Sequence, residues 1–339
     1  VTSCAQVYGF PYKFYAWIFA DCLAKNCGIL FRLVDCICLS AAEAVKETMK
    51  RIAGSMFVLA AMLAAAPALA ETLSKIRETQ TIVLAYRDSP PFSYLNESKK
   101  VTGYSIDLCL KVVEAVKREL KMPQLVVAFV PVDSSSRFSA IIDGRADMEC
   151  GSTTNTEERR AKVSFAIPHF FASVRMLVKS GSGIRNWPDL RDRKVVITKG
   201  TTTIKLLNER SNVRALNVGI VEGSDDMASF AMVEQGKADA FPMDDVLLYG
   251  LKALSRDPDK FAVVGDPLSV EPYAIMLRKD DPAFKKLVDK EIVRTVESRE
   301  IYSMYNYWFM NRSGPGGANM NMPMGNLLRD SLKYPGDRF

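Results

Sequence analysis

The chain has 339 residues, 48% of them hydrophobic and 25% charged, with a net charge of +6. That composition is globular and the length suits two domains, which excludes a disordered or low-complexity chain. The basic residues are scattered, with no dense block, so no nucleic-acid partner is expected.

Residues 49–70, MKRIAGSMFVLAAMLAAAPALA, have the form of a secretory signal peptide. Lys50 and Arg51 supply the charged start, residues 52–66 the apolar core, and Ala68-Leu69-Ala70 the small-x-small cleavage site. The apolar core is short for a membrane span. A signal peptide belongs at the start of a protein, so Met49 is the expected first residue and residues 1–48 a mis-called upstream extension. Five of the seven cysteines (Cys4, Cys22, Cys27, Cys36, Cys38) lie in that extension and lack the C-x2-C pairs of common zinc sites. The mature chain, residues 71–339, is then expected in the periplasm with Cys109 and Cys150 as its cysteines. An oxidising compartment permits a bond between them. Cys109 reads as a helix-core position and Cys150 as a strand end, so the two are expected to stay apart.

In chain order, residues 71–78 read as a short amphipathic helix and 81–86 (TIVLAY) as a buried strand. A Pro-Pro turn follows, exposing Arg87, Phe92 and Tyr94 at the strand's carboxyl end, where open α/β sheets bind ligands. A helix runs from residue 103 to about 120, with apolar residues at 106, 110, 113 and 116. Residues 125–130 form a strand and 138–142 a helix. Residues 149–160, ECGSTTNTEERR, follow a short buried strand and place Ser, Thr and Asn before an acidic pair, which is N-cap chemistry. A helix N-terminus there suits an anion, and an Arg one turn in can clamp a carboxylate.

Strands are expected at 163–165, 173–178 and 194–198. The last is followed by Lys199-Gly200-Thr201-Thr202-Thr203 and a helix to about Arg210, repeating the strand, Gly/Thr turn, helix unit of residues 147–160. Strands at 218–221, 238–242, 262–264 and 273–278 alternate with helices at 224–236, after Asp244-Asp245, and at 282–298. Residues 301–339 are aromatic and then rich in Gly, Asn and Met, and are expected to wrap the surface. Alternation of this kind argues for βα units and mostly parallel sheets. Neither G-x-G-x-x-G nor G-x-x-x-x-G-K-[ST] occurs. The single histidine, His169, has no evident nucleophile partner and reads as structural.

Several segments together resemble the type II periplasmic solute-binding proteins of ABC amino-acid importers, in the glutamate/aspartate-binding branch. They are YRDSPPFSY at 86–94, GYSID at 103–107, IIDGRAD at 141–147, ECGSTTN at 149–155, Gly200-Thr201-Thr202, Met243-Asp244-Asp245, MLRKDDP at 276–282 and NMNM at 319–322. The resemblance covers essentially all of residues 71–339 and none of 1–48. It implies an α/β, two-lobed fold in which two crossover strands join the lobes and let them close on a ligand. Lobe 1 would be 71–174 plus 273–339 and lobe 2 175–272, with crossovers near residues 173–175 and 272–274.

The resemblance also implies roles. Arg159 would bind the ligand α-carboxylate, assisted by Thr154, Thr201 and Thr202. Asp244 would take the α-ammonium, and Ser152 would offer it a further acceptor. Charge supports this head-group set, because a buried zwitterion needs one cationic and one anionic partner. Arg87, Ser134 and Arg137 match the side-chain-carboxylate contacts. Asp226 stands where the glutamate/aspartate binders carry a His. An ionised Asp cannot donate to a ligand carboxylate; it can pair with Arg87 or Arg137, or accept from an amide such as Gln or Asn. The implied function is capture of an acidic L-amino acid for delivery to a membrane permease, by a monomer without metal, cofactor or covalent chemistry. The competing readings are a glutamine/asparagine binder, a cyclohexadienyl-dehydratase-like enzyme on the same fold, and a sensor module.

Overall fold

The structure is a computed structural model that describes residues 72–311 and 320–336. The expected signal peptide at 49–70 and the expected extension at 1–48 lie outside the described residues.

Helix α1 (Thr72–Thr79) leads into β1 (Thr81–Tyr86), and a small hairpin, β2 (Tyr94–Leu95) and β3 (Val101–Thr102), precedes α2 (Tyr104–Leu120). Then come β4 (Val126–Pro131), α3 (Arg137–Ile142), β5 (Met148–Glu149), α4 (Glu157–Arg160), β6 (Ser164–Phe165) and β7 (Phe170–Ala172). The middle of the chain forms β8 (Val174–Lys179), β9 (Lys194–Thr198), α5 (Thr203–Arg214), β10 (Gly219–Gly223), α6 (Asp226–Glu234), β11 (Ala240–Asp244), α7 (Asp245–Leu254) and β12 (Phe261–Val264). The remainder forms β13 (Glu271–Tyr273), β14 (Met276–Leu277), α8 (Pro282–Glu297), α9 (Glu300–Tyr305) and α10 (Asn326–Lys333).

Two five-stranded sheets result, ordered β4-β1-β5-β14-β6 and β10-β9-β11-β8-β12. Each carries one reversed strand, β14 in the first and β8 in the second; the other four run the same way. Parallel strands covered by helices must be apolar on both faces, and TIVLAY is. The α2 stripe of Ile106, Cys109, Val112, Val113 and Val116 is buried against that sheet. α2 ends at Lys121 in the left-handed region, whose N–H caps the carbonyl of Arg118.

The chain passes between the sheets twice, through β7 and β13, which pair antiparallel as Glu271↔Ala172 and Tyr273↔Phe170. The crossovers thus lie at 170–172 and 271–273, the first a few residues earlier than the sequence suggested. Ser173 separates β7 from β8. The single strand expected over 273–278 is two, because Ala274 turns to donate to the Thr153 carbonyl before β14 joins the first sheet. Around the ribbon Phe170 stacks on Tyr273, and Phe92 meets both edge-on. The aromatic start of the C-terminal stretch, expected to wrap the surface, is instead buried at Ile301, Tyr305, Trp308 and Phe309. α9 continues into a π-helical turn over Asn306–Met310, Phe309 stacks on Phe170, and Trp308 Nε1 donates to Asp107 Oδ2 at 2.7 Å.

Cys109 and Cys150 form a disulfide with Cα atoms 6.3 Å apart, contrary to the expectation from sequence. α2 lies across the sheet directly over the end of β5, so a helix-core position and a strand end face each other. That juxtaposition is tertiary and has no local signature.

Candidate functional site

The site is assembled from the carboxyl ends of strands in both sheets. At the end of β1 the Ser93 hydroxyl donates to the Arg87 carbonyl at 2.5 Å, which fixes the Pro-Pro turn and aims the Arg87 side chain inward. At the end of β5 the run 152–155 is pinned to the crossover. Asn155 N donates to the Pro272 carbonyl, Ala274 N to the Thr153 carbonyl, and Thr154 bridges to Tyr273. Thr156 then caps α4 by accepting from Arg159 N, as N-cap chemistry requires. From the second sheet, β9 delivers Thr201 and Thr202, and β11 delivers Asp244.

These groups converge on one small pocket lined by Arg87, Arg137, Ser152, Thr154, Arg159, Thr201, Thr202, Met243 and Asp244. Eight of the ten residues singled out in the sequence therefore face one space. Ser134 and Asp226 do not line it; both meet Arg87 Nη1 at 2.9 Å. Arg87 Nη2 donates to Ser152 Oγ at 2.5 Å. Arg137 Nη1 donates to Thr153 Oγ1 at 2.8 Å, and Arg159 Nη1 to the Thr154 carbonyl at 2.9 Å. Arg137 Nη2 and Arg159 Nη2 both reach the Gly200 carbonyl at 3.5 Å. Thr202 does not cap α5; its hydroxyl donates to Glu271 Oε2 at 3.1 Å.

Charge is concentrated here and little of it sees water. Burial, with Arg159 and Arg87 nearby, brings the Arg137 guanidinium down to about 9. Burial likewise lowers Arg159, against the pull of Glu271 and Asp244. Burial opposes the Arg87 charge too, but Asp226 and Glu149 outweigh it and raise its pKa. Asp244 is pushed up to about 7 by burial and by the charge of Glu271, while a hydrogen bond from Tyr273 acts the other way. His169 is fully buried, and burial lowers its imidazole to about 3, so it stays neutral in the aromatic core. Arg137, Arg159 and Arg87 face Asp244 across this space, with Asp226 already paired to Arg87, so a ligand that brings both a carboxylate and an ammonium fits the set.

The chain matches the family of bacterial extracellular solute-binding proteins, family 3, over residues 82–311. It belongs to that family. Among relatives, an L-glutamate/L-aspartate-binding protein of Pseudomonas aeruginosa is 44% identical over 85% of this chain and 98% of that protein. A glutamate/aspartate import solute-binding protein of Escherichia coli is 41% identical over 81% of this chain and 91% of that protein. A solved ancestral arginine-binding protein superposes with a TM-score of 0.62 at 24% identity, over 68% of this chain and 98% of the other. A cysteine-binding protein from Campylobacter jejuni does so at 0.61 and 23%, over 70% and 92%. These last two likenesses establish the fold, the two-lobed type II architecture.

Sequence reading of this family 3 protein missed residues that support the lining. Thr153 holds Arg137, Tyr273 holds Asp244, and Glu271 holds Thr202. Glu149 is fully buried near all three arginines, and its two carboxylate oxygens have no hydrogen-bond partner among the described residues. Thr153 and Glu149 lie inside ECGSTTN and could have been included with their neighbours. Tyr273 and Glu271 lie on a crossover strand far along the chain, and only the fold brings them in.

Proposed function

We propose that this chain is the solute-binding component of an ABC importer for an acidic L-amino acid, glutamate or aspartate. The convergence of three arginines, two of them buried, and Asp244 on one cavity carries this reading, and the 41–44% identity to proteins named for glutamate and aspartate supports it. Arg159 and Thr154, with the Gly200-Thr201-Thr202 turn, take the α-carboxylate; Asp244 and Ser152 take the α-ammonium. Arg137 takes the side-chain carboxylate, with Arg87 and Ser134 beside it. Lobe 1 holds the first sheet and lobe 2 the second, joined through β7 and β13. Ligand lands on lobe 1, and lobe 2 closes to exclude water. The closed monomer, in the periplasm, is the form the membrane permease accepts. Paired charges shielded from water can supply the roughly 8 kcal/mol of a ~1 μM complex.

One observation favours a second reading. Asp226 already neutralises Arg87, which reduces the positive charge left for an acid and suits an amide side chain. Calorimetry decides between them. The protein is unfolded without reductant and refolded to strip bound ligand, then titrated with Glu, Asp, Gln and Asn. Micromolar or tighter binding of Glu or Asp alone supports the acid reading, tight binding of Gln or Asn the amide reading, and no binding of any of the four sinks both.

A further inference from the structure

Arg87 and Asp226 approach from opposite sides of the cleft. Arg87 follows β1 of the first sheet; Asp226 opens α6, which packs beside β9 of the second. Their side chains are 6% and 3% exposed, and Arg87 Nη1 lies 2.9 Å from Asp226 Oδ2. Asp226 does not line the cavity. Its other oxygen, Oδ1, has no hydrogen-bond partner among the described residues. The carboxylate bound to Arg87 therefore comes from the protein's own far lobe and is not among the groups that line the cavity. Alongside it the lobes are in backbone contact, because a Cβ at Gly200 would stand 2.8 Å from the Ser134 carbonyl.

We propose that Asp226 is a clasp across the cleft, a positioning residue that ties lobe 2 to Arg87 of lobe 1 and so favours closure whatever occupies the cavity. In the closed arrangement both charges are desolvated and paired; opening returns both to water. Removing one partner leaves the other buried and unmatched when the cleft is shut, and that shifts the balance toward the open form. The clasp also sets specificity, a consequence that rests on the amino-acid-binding reading above. With Asp226 present, Arg87 is already matched and Arg137 alone has a charge to offer a side-chain carboxylate. Without it, Arg87 demands an anion, and the preference for an acid over an amide rises.

Small-angle scattering on the refolded, ligand-stripped protein tests the clasp without reference to any ligand. The variants are Asp226→Asn, Arg87→Gln and the two combined, each first checked for a native circular-dichroism spectrum and cooperative melting. Each single variant is expected to show a larger radius of gyration than the parent, and the double variant one no larger than the singles. Unchanged scattering in both singles overturns the proposal, as do effects that add in the double variant, because the residues would then act independently. Should one single variant fail to fold, the other still decides. A purely structural role would leave ligand preference alone. The clasp instead predicts that Asp226→Asn raises the ratio of Gln to Glu dissociation constants on the order of tenfold. A protein that binds neither ligand sinks the transport reading and leaves the scattering result to judge the clasp.

Discussion

The Tyr273 hydroxyl donates a short hydrogen bond to Asp244 Oδ2, joining the crossover strand β13 to the end of β11. Tyr273 is fully buried and Asp244 nearly so, and Asp244 Oδ1 has no hydrogen-bond partner among the described residues. The group assigned to the ligand ammonium is thus positioned by a strand that links the two sheets.

Binding should therefore depend on pH in a definite direction. Burial and Glu271 hold the Asp244 carboxyl up at about 7. An ammonium pairs with the ionised form, so ligand lowers that pKa and binding releases a proton near neutrality. Below pH 7 the free carboxyl is protonated first, and affinity should fall by up to about tenfold per pH unit. The raised pKa also means that the free protein gains stability from this group at low pH and loses it as pH climbs through 7. Calorimetry from pH 5 to 8 in buffers of differing ionisation enthalpy measures both the slope and the proton. A flat profile would remove Asp244 from the ammonium site.

The arginines should separate by role. Arg159→Ala removes the α-carboxylate partner common to every amino acid, so all ligands should weaken by at least about a hundredfold, ~3 kcal/mol. Arg137→Gln should cost acids much more than amides. Arg87→Gln should have a smaller acid-specific effect, because Asp226 and Ser134 already share its Nη1. Equal losses for Glu and Gln in Arg137→Gln would show that the side-chain end of the pocket lies elsewhere.

How much of this was legible follows from whether the signal is local. TIVLAY, KVVIT and the α2 stripe carry their periodicity in consecutive residues, and the structure has strands and a helix there. Thr156 before Glu157-Glu158 signals its cap within four residues. Ser152, Thr154 and Arg159 come together because one turn and one short helix hold them all. Asp226 is different. Its partner could be narrowed to Arg87 or Arg137, but choosing needed the meeting of two lobes. Cys109–Cys150, Tyr273–Asp244 and the packing of Phe309 on Phe170 likewise join residues with no local pattern. The two-strand split of 271–277 depends on one hydrogen bond from Ala274 to a carbonyl over a hundred residues earlier.

The disulfide should matter for stability rather than binding. It closes a 41-residue separation and ties α2 to the end of β5. Loss of that cross-link relaxes the unfolded chain, which loop-closure entropy puts at up to ~4 kcal/mol. The bond lies in the core that contains Ile106 and Val112, and neither cysteine lines the cavity. Cys109→Ala/Cys150→Ala should lower the denaturant midpoint clearly and leave the dissociation constant for the bound amino acid within about threefold. A large loss of affinity with unchanged stability would mean that the bond shapes the 152–155 run directly.

Gly250 offers a way to oppose closure without touching the pocket. It lies in the buried face of α7, where alanine would ordinarily strengthen the helix by about 1 kcal/mol. A Cβ there would stand 2.7 Å from the Pro90 carbonyl in the turn after β1, which is backbone and cannot swing aside. α7 follows a strand of the second sheet and that turn a strand of the first, so the clash is expected to bear on the shut cleft. Gly250→Ala should keep or raise the melting temperature of the ligand-free protein and weaken Glu, Asp and Gln by the same factor, because it acts on the open–closed balance and not on any ligand group. Calorimetry paired with thermal melting measures both. Unequal losses among the ligands would place the effect in the pocket, and unchanged affinity would mean that α7 and the Pro90 turn do not approach this closely when ligand binds.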